Sequence, residues 1–404
     1  MRKDTRRRRL QREQERPGRV EDLSQARLRR KKQKIRKLLL WAVPLALLLV
    51  WFIARNSAAL VSAGDFVETL QINSARGQGL PQNTGISELY QWQEMTGGFV
   101  ALGKESCVFY NDKGVRMRSI QAGYARPAIS AGDTRFVLYN RGGTELRVES
   151  RTKNLYTKSD LGGILLCEMS PEGSLAVVTE DPRYTAKLLV YPSSMEQPLT
   201  WKLTSTEGVP LSLAFSENEK KLAVVTITAK DGKNISQLYI LDRSRPRQEQ
   251  TPLAIRENGV PLASEWIGDT LVVAYSNGVV TYQEKKGETG KFEWSGESLI
   301  DFSMLPSGKM ALLLSSGASA EIVLLDKNLK ETGRIGVESG NGVALTKNGV
   351  YLYTNANVVC YSLKGEYAWH YPCNLRPQGL LPTRNGLLLF QGGIVEECIP
   401  PASE

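Results

Sequence analysis

The sequence predicts an all-β protein, a β-propeller of eight blades with seven as the alternative, preceded by one transmembrane helix. Three observations predict it. An uncharged run, L-L-L-W-A-V-P-L-A-L-L-L-V-W-F-I-A, occupies residues 38–54. A dense basic tail precedes that run. Behind it, a unit of polar turn and apolar strand recurs eight times along the chain.

The uncharged run has seventeen residues, which as a helix would rise roughly 26 Å. A bilayer core is about 30 Å thick and takes ~17 residues at the short end. Lys37 and Arg55 at its two ends can snorkel outward and close the gap. Trp41 and Trp51 lie where indole rings favour the headgroup layer. These four side chains are the expected membrane-interface residues. Pro44 is tolerated in such a helix. A cleaved signal peptide is the rival reading, but the small-residue site V-S-A at 61–63 lies well past the run.

Residues 1–37 carry seventeen Lys and Arg against five Asp and Glu, a net of +12. The whole chain is +10, so +10 less +12 leaves −2 for the remainder. The positive-inside rule places the tail in the cytoplasm and the remainder outside the cell membrane. The tail is also attracted to anionic lipid by about 1 kcal/mol per basic residue near the surface. It lacks the interleaved aromatics that argue for nucleic acid, and the near-neutral remainder gives no ground for polyanion binding. The expected organisation is a cytoplasmic tail 1–37, a membrane helix 38–54, a linker 55–64 and an extracytoplasmic propeller 65–404.

The repeats are E-M-T-G-G-F-V-A-L from Glu94, S-A-G-D-T-R-F-V-L-Y from Ser130, S-P-E-G-S-L-A-V-V-T from Ser170 and S-E-N-E-K-K-L-A-V-V-T from Ser216. They continue as W-I-G-D-T-L-V-V-A-Y from Trp266, L-P-S-G-K-M-A-L-L-L-S from Leu305, T-K-N-G-V-Y-L-Y-T from Thr346 and T-R-N-G-L-L-L-F from Thr383. Their first strand residues are Phe99, Phe136, Leu175, Leu222, Leu271, Met310, Val350 and Leu387, spaced 37, 39, 47, 49, 39, 40 and 37 apart. Polar inserts near 179–187 and 228–236 account for the two long spacings. A period near forty with several strands per unit is the signature of a propeller. Tandem sandwiches would lack this self-similarity.

The last copy ends too early to supply its own outer strand. The segment D-F-V-E-T-L-Q-I, residues 65–72, looks like a strand without a sheet. It is the expected closing strand, joining the two ends of the ring and removing an open edge.

The basic tail, single anchor and degenerate repeat resemble a family of uncharacterised single-pass membrane proteins of Gram-positive bacteria known only as a domain of unknown function. The likeness rests on this architecture and on C-E-M-S-P-E-G-S-L-A-V-V-T and L-A-F-S-E-N-E-K-K-L-A-V-V-T. The S-P-E-G and S-E-N-E turns also resemble those of WD-repeat and quinoprotein-like propellers, without the W-D dipeptide. The resemblance implies fold and location, and it transfers no catalytic residue.

The residues offer little chemistry. His370 is the single histidine, so imidazole-based triads and most metal sites lack their ligand. H-x-x-C at His370 and Cys373 gives two ligands, short of a zinc site. Cys107, Cys167, Cys360, Cys373 and Cys398 form no C-x-x-C and are an odd number; buried thiols are expected, with a Cys360–Cys373 bridge as the lesser alternative. Asp112, Asp242 and Asp326 sit where aspartate caps a turn. Trp92, Trp201, Trp266, Trp294 and Trp369 are expected in blade packing. No phosphate loop and no nucleophile elbow is present. No catalytic, cofactor-binding or metal residue is assigned, and no cofactor is expected.

The functional reading is a membrane-tethered, extracytoplasmic, non-enzymatic scaffold. It contacts lipid through anchor and tail and binds an envelope or membrane protein. The alternative is a quinoprotein-like or hydrolytic propeller with its site at the central tunnel, which requires acids, bases or ligands converging there.

Overall fold

A computed structural model describes residues 40, 42, 57–86, 88–245 and 250–400. The chain divides into two compact units, Met1–Leu60 and Val61–Glu404. In the first, Leu40, Ala42 and the helical residues from Ser57 are described. The expected tail, the membrane helix apart from Leu40 and Ala42, and the interface residues Lys37, Trp41, Trp51 and Arg55 lie outside the described residues. Among the described helices none is long and apolar enough to cross a membrane.

Eight four-stranded antiparallel sheets make up the second unit. Blade 1 consists of Leu89–Met95, Gly98–Gly103, Ser106–Asn111 and Arg116–Gln121. Six further blades repeat the same order of strands, and blade 8 opens with Pro377–Thr383, Gly386–Gln391 and Ile394–Glu397. Every one of the eight repeats supplies the second strand of one blade, so eight blades are present and seven is excluded. The two long spacings are also explained. The hairpin of blade 4 extends to a turn between Lys230 and Lys233, and blade 3 has a loop between Thr179 and Ala186.

Second strands such as Gly98–Gly103, Leu175–Thr179 and Met310–Ser315 are buried on both faces, which is why they read as unbroken apolar runs. Eight apolar clusters result, each shared by two adjacent blades. Blade 8 packs on blade 1 through Phe390, Phe99 and Tyr110, so the ring closes. The first strands of most neighbouring blades lie side by side around the centre, including those of blades 8 and 1.

The closing strand is not the one expected. Residues 65–72 belong to a helix, Ser57–Ser74, which also takes up most of the expected linker. Blade 8 is completed instead by Gln82–Asn83, paired with Val395 and Ile394. Two residues are too few to show a strand pattern. Asp65, Glu68, Thr69 and Ile72 fall at i, i+3, i+4 and i+7, one face of a helix, and all four find partners in blades 1 and 2. Those long-range contacts outweigh the local strand propensity of D-F-V-E-T-L-Q-I.

The partners are mostly polar. Thr134 Oγ1 donates to Asp65 at 3.0 Å, and Arg135 pairs with the same carboxylate at 3.4 Å. Ser150 Oγ donates to Glu68 at 2.7 Å, and Thr152 Oγ1 donates to the same carboxylate. Arg151 donates to the Asp65 carbonyl, the Thr69 hydroxyl and the Thr96 carbonyl. Ile72 enters the apolar cluster between blades 1 and 2.

Candidate functional site

One edge of each first strand pairs with its own blade. The other faces a neighbour without a ladder and needs partners. Side chains provide them at repeating positions. Gln93 Oε1 accepts from the Ala131 amide at 2.6 Å, Ser130 Oγ from Met169 at 2.9 Å and Ser303 Oγ from Leu345 at 2.9 Å. Two residues earlier, Gln91 accepts from Ile129 at 2.8 Å and Asp301 from Val343 at 2.9 Å. In the opposite sense, Trp92 Nε1 donates to the Leu380 carbonyl at 2.8 Å and Trp266 Nε1 to that of Ala214 at 3.1 Å.

Gln93, Ser130 and Ser303 are equivalent in register to Glu168 in blade 3, Ala214 in blade 4 and Glu265 in blade 5. Two carboxylates therefore occupy one layer of the central channel, on either side of an alanine. Desolvation pushes the Glu168 carboxyl up to about 8; the Ser130 hydroxyl, 3.1 Å away, pulls it down, and the charge of Glu265 pushes it further up. Desolvation raises Glu265 as well, although its side chain still meets water. Asp301 is also raised by burial, against the amides of Val343 and Phe302, which favour its charge.

Beside Glu265, between blades 5 and 6, lies a cleft of about 40 Å³ lined by Ser264, Val272, Phe302 and Met304. That is room for about one water molecule. A wider groove, about 530 Å³, opens at the rim of blade 6 between Glu297, Ser316, Ser319, Glu321, Val337 and Glu338. Arg334 bridges Glu321 and Glu331 at its side. Glu338 remains exposed and Glu297 half-buried.

The residues singled out for chemistry occupy structural positions. His370 is exposed on the outer strand of blade 7, with Nδ1 2.9 Å from the Tyr367 hydroxyl. All five cysteines are free thiols; four are buried and Cys373 is half-buried, so no Cys360–Cys373 bridge forms. Asp242 accepts from the Ser244 hydroxyl and amide and Asp326 from the amides of Lys330 and Asn328, and these bonds hold both carboxyls below the usual range. Asp112 differs: desolvation raises its carboxyl. Trp92 packs against Phe390, Trp201 against Tyr239 and Trp369 against Tyr351, while Trp266 and Trp294 are buried. The S-P-E-G and S-E-N-E turns staple blades 3 and 4. Glu219 accepts from Ser170, from the Glu172 amide at 3.0 Å and from Ser174 at 2.7 Å, and pairs with Arg243 at 3.3 Å. Among the described residues no three His, Cys, Asp or Glu side chains converge as metal ligands would.

Sequence reading missed Glu168 and Glu265. Placing the eight copies in ladder register would have found them: the first-strand residue opposite Ala176 in blade 3 and Val272 in blade 5 is glutamate, where the other copies carry small, polar or apolar residues.

These features define an eight-bladed propeller with a side-chain-laced inner ring and an open rim. Residues 80–390 match the family of unknown function DUF5711, and the chain belongs to that family. No curated protein matches it. Among solved structures it is similar to BamB from Moraxella catarrhalis, at 13% identity and a TM-score of 0.50, over 80% of this chain and 96% of that one. It is similar to apo AztD from Citrobacter koseri, at 9% identity and 0.53, over 73% and 88%. A third likeness, to Hsv2 of Kluyveromyces lactis, has 10% identity and 0.50, over 71% and 98%. At these identities the likeness is one of fold. It bears out the propeller fold expected from the repeats.

Proposed function

We propose that the chain is a membrane-tethered scaffold of a Gram-positive envelope, with its tail in the cytoplasm and its ring outside, and that the ring binds an envelope or membrane protein without catalysis. The observation that carries the binding role is the open groove at the rim of blade 6. It combines exposed serine hydroxyls with the carboxylates of Glu297 and Glu338. A partner presenting a basic, hydrogen-bonding segment complements it, and charge of this kind steers encounter and partner choice. A photo-cross-linker at Ser319 should capture one partner in cells, and Glu297→Lys with Glu338→Lys should abolish that capture while the fold persists. Capture unaffected by both changes removes the groove from the interface. The topology has its own test: protease added to intact cells should digest the ring and spare residues 1–37, whereas a secreted domain starting near Gly64 means that a signal was cleaved.

The catalytic alternative draws on one observation, the Glu168–Glu265 layer of the channel. A carboxyl raised to about 8 holds a proton that a general acid can give at neutral pH. Turnover of an envelope glycan by the purified protein, lost in Glu168→Gln, would establish it in place of the scaffold.

A further inference from the structure

The helix Ser57–Ser74 is turned inside out for a protein in water. Its polar and charged residues Asp65, Glu68 and Thr69 face the ring, whereas Phe66, Val67 and Leu70 are 65, 64 and 55% exposed. At 100° per residue these three fall on one side of the helix, opposite the docked face. A solvent-facing helix surface is ordinarily polar, and clustered exposed apolar side chains mark an interaction site.

We infer that Phe66, Val67 and Leu70 rest in the interfacial layer of a lipid bilayer, and that the face of the ring beneath the helix is the membrane-facing one. In sequence, the uncharged run 38–54 ends three residues before the helix begins. The stripe therefore follows the proposed anchor by only a few helical turns. An apolar stripe at that distance meets lipid before it meets a soluble partner.

The charge on the same face agrees. The helix is held by the turns joining first to second and third to fourth strands: Thr134 and Thr152 bond its carboxylates, and Lys113 Nζ donates to the Asn73 carbonyl at 2.6 Å. In an up-and-down blade, all such turns lie on one side of the ring. In blades 5–7 they carry the exposed lysines Lys285, Lys309, Lys327, Lys330, Lys347 and Lys364. Two acidic neighbours are already engaged, Glu284 by Lys221 and Asp326 in capping its own turn. Asp269 in blade 5 and Glu366 in blade 7, with Glu172, Glu196 and Glu217 in blades 3 and 4, oppose the lysines; lysines still outnumber acids in the turns of blades 5–7, so contact with anionic headgroups is strongest on that side. The groove of blade 6, formed by turns of the other kind, then points away from the membrane, free for a partner.

The inference rests on the anchor reading for its geometry, and its test separates the two. The full chain, with a nitroxide attached at Phe66→Cys or Leu70→Cys, is reconstituted in vesicles of phosphatidylcholine and phosphatidylglycerol. A label at Asn234→Cys, on the long hairpin of the opposite face, is the aqueous control. At positions 66 and 70 collision with oxygen should exceed collision with a water-soluble nickel chelate, and the order should reverse at 234. Equal, water-like accessibility at all three positions overturns the inference. So does spin–spin broadening between labels at 66 that survives dilution in lipid, since a second copy then covers the stripe. Alkaline extraction of the same vesicles reads the anchor alone. Protein that is extracted yet shows lipid-immersed labels before extraction upholds the helix contact and removes the anchor. Retained protein with water-like labels does the reverse.

Discussion

Arg151 of blade 2 and Glu68 of the helix stand 3.7 Å apart, with side chains 0 and 7% exposed. Both charges make several further bonds: Arg151 holds the Thr96 and Asp65 carbonyls and the Thr69 hydroxyl through its terminal nitrogens, and Glu68 accepts from Ser150 and Thr152. Replacing one partner leaves the other buried and unpaired, which costs more than the pair contributes. Arg151→Met should therefore destabilise the protein by about 3–5 kcal/mol and release the helix to proteolysis ahead of the blades. Urea denaturation and the order of tryptic fragments would check both. A helix as protected as in the parent would mean that Ile72 and the remaining bonds of Asp65 and Glu68 suffice to hold it.

Ring closure makes a separate prediction. Thr84 donates to the Gly393 carbonyl through both amide and hydroxyl, at 2.9 and 2.8 Å, and Ile86 is buried between blades 8 and 1. Ile86→Ala leaves a cavity at the seam and should cost about 2–5 kcal/mol. Thr84→Ala should cost about 1 kcal/mol. A melting temperature unchanged by Ile86→Ala would place the closing contact elsewhere.

The legible part of the fold is the part whose pattern is local. Phe99, Leu175, Met310 and the other repeat-opening residues all fall at or next to the start of a second strand, because those strands are buried on both faces and flanked by polar turns. The closing strand was expected from the missing outer strand of the last copy, yet its residues were not identifiable, since Gln82 and Asn83 carry no strand signal. Residues 65–72 misled for a related reason. Their helical face is polar, and what it bonds, Thr134, Ser150 and Arg151, lies some seventy to ninety positions away. Glu168 and Glu265 needed only a register comparison between copies to emerge. The groove of blade 6 comes from the meeting of loops that no period relates.

The seam between blades 8 and 1 is also tight around Trp92. A Cβ built on Gly379 would lie 2.4 Å from Trp92 Cζ2, so only glycine lets the indole reach the Leu380 carbonyl. Gly379→Ala should cost about 1–3 kcal/mol through the forced shift, and Trp92→Phe about 1 kcal/mol through the lost bond. The two should be non-additive, because the smaller ring relieves the clash. Equilibrium unfolding of the double-mutant cycle reads this directly, and strict additivity would contradict the contact.

The Glu168 carboxyl ties the channel to pH. Folded, it keeps its proton to about pH 8, whereas the ordinary value for glutamate is 4.5. Between those values the folded chain binds the extra proton, so stability falls as pH rises through the window, and the loss persists above it. Burial is the larger cause and the charge of Glu265 a smaller one, so ionising Glu168 places an uncompensated charge in the ring. Glu168→Gln keeps the shape and a bond with Ser130 but cannot ionise. Discounting for water in the channel, the variant should exceed the parent by on the order of 2 kcal/mol at pH 9 and match it near pH 5. Glu265→Gln in the parent should shift the midpoint of the decline to lower pH by removing the repulsion. Melting temperatures across pH 5–9 would show this. A parent that instead gains stability over the variant as pH rises would mean that the ionised Glu168 is held by a bound cation, and the channel would then be a ligand site.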